Sequence, residues 1–147
     1  MSSDLATTFS DVTGYIQAAL QGITGLSADL VKYGTHREPP GPKSITFRLV
    51  IGQPDEQGGT LRSERIAATY EARLYTQATE DTPIARDSAA LALWQQVRTA
   101  LYADKTFGAK VRNVTVGTLT PPGAAGDIGE PPNAAVTTIT VIWNASI

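Results

Sequence analysis

Glycine and proline placement constrains this chain more than any other feature. Of 13 glycines and 9 prolines in 147 residues, eight fall between His36 and Thr60 and eight more between Gly117 and Asn133. Both residue types interrupt helices and strand ladders, so these two segments read as loop territory. The finer boundaries are a hairpin loop over about 52–62 and a flexible loop over about 119–134. The second loop, GTLTPPGAAGDIGEPPN, is long for a connection inside a compact domain, and connections of that length are usually functional or mobile. The length fits one domain over 1–147, which can bury roughly 68–70% of the surface its unfolded form exposes.

Regular periodicity fills the space between the loops. Phe9, Val12, Ile16, Ala19, Leu20 and Ile23 recur at three- and four-residue steps, a helical stripe with Thr8 or Ser10 as its cap and Gly22 and Gly25 at its end. A short strand is expected near Asp29–Tyr33. Ser44 to Ile51 is β-branched and aromatic, hence a strand. Ser63 to Ala78 alternates, with Ile66, Ala68, Tyr70, Ala72 and Leu74 on one face and Thr69, Glu71, Arg73 and Tyr75 on the other. A strand this long must bend or project as a two-stranded arm paired with 44–51. Thr82-Pro83 opens a second helix through a hydroxyl cap and a proline at the first helical position. Ile84, Leu91, Trp94, Val97 or Arg98, and Leu101 track its apolar side. Lys110–Thr118 and Ala135–Asn144 alternate as closing strands. The order departs from strict βαβ alternation. It predicts an α+β fold, a mostly antiparallel sheet of four to five strands with two helices on one face and a long hairpin arm.

Few catalytic chemistries survive the composition. There is no cysteine, which removes disulfides, thiol nucleophiles and Cys-ligated zinc, and one histidine, which removes His-rich metal sites. His36 lies in the loop YGTHREPPGP with no partner imidazole. Twelve basic against 14 acidic residues give a net charge of −2, which argues against a strongly basic grip on nucleic acid. The carboxylate pairs Asp55-Glu56 and Glu80-Asp81 are sequence neighbours, whereas paired acids for hydrolysis face each other across a substrate. Gly123, Gly126 and Gly129 lie between Pro121-Pro122 and Pro131-Pro132 and precede a strand, which is the wrong context for a phosphate loop. No catalytic residue, metal ligand or cofactor is expected. Neither a signal peptide nor an apolar run of membrane length is visible, so the expectation is a soluble product made in the cytoplasm.

Charge is unevenly spread. Arg98, Lys105, Lys110 and Arg112 against Asp104 leave +3, while no basic residue follows Asn113 and Asp127 and Glu130 give −2. The asymmetry reads either as ordinary solvated surface or as complementary edges on neighbouring copies.

Residues 89–116, AALALWQQVRTALYADKTFGAKVRNVTV, resemble the tail terminator, or tail completion, family of long-tailed bacteriophages. The likeness rests on a helix ending in V-x-x-x-L (Val97, Leu101), a D-x-T-[apolar]-G turn (Asp104, Thr106, Phe107, Gly108) and an alternating strand after it. YEARLYT upstream and TTITVIWNAS downstream occur in the family's order. Many members carry a leucine and two glycines where this chain has Phe107, Gly108 and Ala109. The V-Y-D-x-x-P stretch of some members is replaced by LVKYGTHREPP.

The resemblance implies a non-catalytic homo-oligomer, a hexameric ring on the head-proximal end of the tail tube in the virion. Such a ring stops tube polymerisation and offers the surface to which the filled head docks. Its implied partners are the tail tube protein and a head–tail connector or neck protein, with passing DNA only weakly contacted and no membrane. A neck or head-closure connector is the alternative within virion assembly. From another class, a small hydrolase or ligand-binding α+β domain would use carboxylates such as Asp55, Glu56 or Glu71. The candidate interaction residues are Pro54, Asp55, Glu56, Gln57, Gly58 and Gly59 at the hairpin tip, and Pro121, Pro122, Asp127, Glu130 and Pro131 in the long loop. Trp94 and Trp143 read as core.

Overall fold

The computed structural model describes residues 5–34, 40–41, 43–59, 63–76, 83–121 and 134–146. Seven elements carry the fold: α1 (Leu5–Gln21), β1 (Val31–Tyr33), β2 (Ser44–Gly59), β3 (Ser63–Tyr75), α2 (Pro83–Tyr102), β4 (Asn113–Val116) and β5 (Ala134–Ser146). The five strands form one sheet in the order β1-β2-β3-β5-β4, with β1 parallel to β2 and every other pairing antiparallel. The architecture is α+β, with a mostly antiparallel sheet, as the element order predicts.

The two-residue period of β3 and β5 builds the core. Ile66, Ala68, Tyr70, Ala72 and Leu74 are buried, and across the register Ala135, Thr137, Ile139, Val141 and Trp143 are buried beside them. Onto this face α1 sets Val12, Ile16 and Leu20, with Phe9 and Ala19 at the margin. The α1 stripe is therefore the one its spacing predicts, but the helix begins before Thr8 and Ser10, so neither caps it. Gly25, at φ 88°, takes the left-handed conformation that ends the turn after the helix.

Helix α2 starts on Pro83, as its capping pattern predicts, but presents a different face. Ala90, Leu93, Val97 and Leu101 are buried, whereas Ile84 is 85% exposed and Leu91 52% exposed. The Ala-Leu tract supports two overlapping stripes, and only the one through Leu93 stays in phase with Val97 and Leu101.

Two strand boundaries also depart from the sequence reading. β2 does not stop near Ile51 but continues through the Gly- and Pro-bearing stretch to Gly59, so most of the hairpin loop expected over 52–62 is strand and residues 60–62 lie outside the described set. β4 is shorter than the Lys110–Thr118 expected, because residues 103–112 form a compact turn. β2 and β3 form the long hairpin expected, and β5 pairs with β3 from Ser63↔Ser146 to Tyr75↔Ala134, so a third strand runs along the whole of β3.

Candidate functional site

The hairpin-tip residues Pro54–Gly59 lie on the β2 backbone. Pro54 stands opposite Ile66 and Gly59 opposite Glu64, so Asp55, Glu56, Gln57 and Gly58 together face the single residue Arg65. This is a large bulge, the setting in which a strand tolerates a proline that cannot donate to the ladder. In the long loop, Pro121 is exposed, next to a bridge between Thr120 and Val136. Pro122, Asp127, Glu130 and Pro131 lie outside the described residues.

A second irregularity occurs earlier in β2. Leu49 pairs with Tyr70 and Ile51 with Thr69, leaving Val50 as an extra residue. The bulge turns three consecutive apolar side chains toward solvent: Leu49 is 37% exposed, Val50 49% and Ile51 51%. β1 covers β2 only at Ile45, Thr46 and Phe47. The Tyr33 hydroxyl accepts the Leu49 N–H at 3.2 Å. Beyond it, no described strand pairs with the outer edge of β2. Unpaired backbone groups beside exposed apolar side chains favour association with another chain. Sequence reasoning missed this site because SITFRLVI reads as an ordinary buried strand; the bulge that exposes it depends on pairing.

The opposite edge, β4, is closed by α2. Tyr102 accepts the Val116 N–H through its hydroxyl at 2.8 Å, and the Trp94 indole N–H donates to the Gly117 carbonyl at 3.2 Å. Trp143 is fully buried, as expected, but Trp94 is only half-buried and faces the sheet edge. Between the two α2 rings lies Arg98, its guanidinium 4.8 Å from the Trp94 ring centre and 5.7 Å from that of Tyr102, while Lys105 Nζ lies 4.5 Å from Tyr102. The spacing W-x3-R-x3-Y, at helical i,i+4 steps with a lysine three residues beyond, is the sequence signal for this cluster.

The turn after α2 holds this edge in place. Asp104 Oδ2 accepts the Gly108 N–H at 2.7 Å, and Oδ1 accepts the Thr106 N–H at 3.1 Å and its hydroxyl at 2.9 Å. Tyr15, from α1, donates its hydroxyl to Oδ2 at 3.4 Å. The Gly108 N–H, then the Thr106 hydroxyl and N–H, hold the Asp104 carboxyl below its ordinary pKa. Phe107, Gly108 and Ala109 are all left-handed, at φ 50°, 67° and 69°. That conformation costs energy for the two non-glycine residues, and the carboxylate bonds offset it. The geometry buries Phe107 completely, its ring stacked 4.3 Å from Tyr15.

Among the described residues, the carboxylates that a hydrolase would need are not brought together. Glu71 pairs with Arg73 at 3.3 Å and stands opposite Arg48, seven positions along β2 from Asp55. At about 3.3 Å per residue the two acids are about 20 Å apart, too far to share a substrate bond. The surface groove between α1 and α2 is lined by Ala19, Gly22, Ile23, Thr24, Gln95, Gln96, Thr99 and Ala100, none of them charged. Among the described residues there is no cluster of metal-ligating side chains, and no helix is long and apolar enough to cross a membrane.

No protein-family model and no curated protein matches the sequence. Solved structures do match. The chain superposes over 100% of its length on the PVC sheath/tube terminator of an extracellular contractile injection system in its extended state, with a TM-score of 0.61 at 13% identity. The chain shares the fold of that protein. A second such structure, the tube-terminating cap of the anti-feeding prophage, aligns with 99% of the chain at a TM-score of 0.55 and 14% identity. The chain spans 58% and 56% of those two proteins, little over half their length. Both of these structural neighbours are terminators of tubes.

Proposed function

We propose that this chain is a non-catalytic tail terminator whose copies close into a six-membered ring on the head-proximal end of a bacteriophage tail tube. The ring stops tube polymerisation and presents the surface on which the head, through its neck protein, docks. The observation that carries this reading is the pair of unlike sheet edges within a tube-terminator fold: an open, apolar β2 edge on one side and a closed, cationic β4 edge on the other. A rotational ring is built from heterologous contacts, which require two different surfaces on each subunit. An open β2 edge left in water is an aggregation hazard, and ring closure removes it. Passing DNA meets a subunit of net charge −2 and is only weakly held.

Assembling tails with and without the protein tests the proposal. Tubes made without it should grow to uncontrolled lengths, and adding it back should restore a narrow distribution. Tubes of normal length that fail to join heads would instead mark the chain as a neck connector. Normal tubes and normal joining would remove both roles.

A further inference from the structure

Four cations, Arg98, Lys105, Lys110 and Arg112, lie near the β4 edge. Among the described residues, no carboxylate pairs with Arg98, Lys105, Lys110 or Arg112. The local acid, Asp104, is already occupied by the turn. The Arg98 guanidinium lies against two rings, and among the described residues its one hydrogen bond is long, 3.4 Å, to Gln95 Oε1. A guanidinium ordered in this way keeps edge N–H donors for a partner and loses little side-chain freedom on binding.

We propose that this stacked basic stripe is the receptor for the acidic bulge of β2, Asp55-Glu56, in a neighbouring copy of the chain. The proposal rests on the ring reading above and names the contact that closes it. Three observations support a second copy as the occupant. The complementary charge is present in the same chain, since Asp55 and Glu56 are adjacent and lie in the four-residue bulge of β2. β2 and β4 sit on opposite sides of the sheet, separated by β3 and β5, a span of about 14 Å at about 4.8 Å per strand. The stripe and the bulge therefore cannot meet within one copy but can meet head to tail. Finally, the Tyr102 hydroxyl occupies the Val116 N–H, so the β4 edge offers a neighbour side-chain charge in place of a free strand. Exposed contacts of this kind orient subunits and weaken with salt.

Native mass spectrometry of the full chain tests this by charge reversal. The wild type should form a discrete ring that dissociates as salt rises. Arg98→Glu with Lys105→Glu, and separately Asp55→Lys with Glu56→Lys, should each lower the assembled fraction at least tenfold. The chain carrying all four reversals should assemble again. Circular dichroism confirms folding, and the milder Arg98→Gln with Lys105→Gln serves if the reversal unfolds α2; it too should weaken assembly. A ring indifferent to every one of these changes overturns the stripe contact and leaves the ring standing. Failure of the folded fourfold variant to reassemble also overturns it. Reversals that leave the ring intact but abolish retention of duplex DNA would assign the stripe to nucleic acid instead. A wild type monomeric at all concentrations would overturn the ring itself.

Discussion

The two edges of the sheet meet the same physical problem in opposite ways. At β4, four residues long, the outward Val116 N–H is taken by a tyrosine hydroxyl, and an indole reaches the next carbonyl. The helix supplying both groups is fixed by the Asp104 turn and the Phe107–Tyr15 stack. At β2, a tyrosine hydroxyl covers one N–H, that of Leu49, and the strand then runs on for ten residues to Gly59. Two bulges interrupt its register there, and the first turns apolar side chains outward. One edge is closed by the chain's own side chains, and the other has no described strand beside it beyond Phe47. A subunit with two closed edges would stay solitary, and one with two open edges would aggregate without limit.

Perturbing the closed edge should cost the folded subunit most. Phe107→Ala removes a fully buried ring under the turn and is expected to lower stability by about 3–5 kcal/mol in urea or guanidinium unfolding. A loss below about 1 kcal/mol would mean that the turn anchors nothing. Tyr102→Phe keeps the ring but leaves the Val116 N–H without its acceptor, with an expected loss of about 1–2 kcal/mol.

Acid should act on the same edge. Asp104 has a folded-state pKa below its unfolded value of 3.8, so its contribution is present above that pH and is lost as pH falls through the lower, folded value. Asp104→Asn should flatten that acid limb of stability against pH, and an unchanged limb would contradict the bonding described here. The smallest effect on the subunit belongs to the open edge. Val50→Lys with Ile51→Lys should change monomer stability by no more than about 0.5 kcal/mol while preventing assembly in analytical ultracentrifugation. A large loss of stability would show that the two side chains serve the core after all.

The closed edge was more legible in the sequence than the open one. The alternation through Tyr70 and Leu74 placed the core face of β3, Thr82-Pro83 marked the start of α2, and D-x-T-F-G marked the turn that anchors β4. These signals are local: each depends on residues within a turn or a few strand positions. The β2 edge is not local. Gly52, Pro54, Gly58 and Gly59 read as loop, yet β3 is long enough to keep the strand going and the bulges absorb the residues that cannot pair. Val50 reads as a strand residue, and only its lack of a partner on β3 exposes it. The wrong face assigned to α2 has a related cause. Leu91 and Leu93 are equally apolar, and the choice between them is made by the sheet and not by the helix.

The absence of cysteine makes the central claim, closure through two unlike edges, directly measurable. Ile51→Cys and Thr115→Cys place one thiol on each edge, and a short bis-maleimide then reports which edges meet. Carried singly, neither variant should yield crosslinked dimers. Carried together in one chain, they should yield a ladder of covalent oligomers ending at a single closed species of six copies. Efficient dimers from Ile51→Cys alone, or no product beyond monomer from the double variant at concentrations where the protein is assembled, would contradict the account.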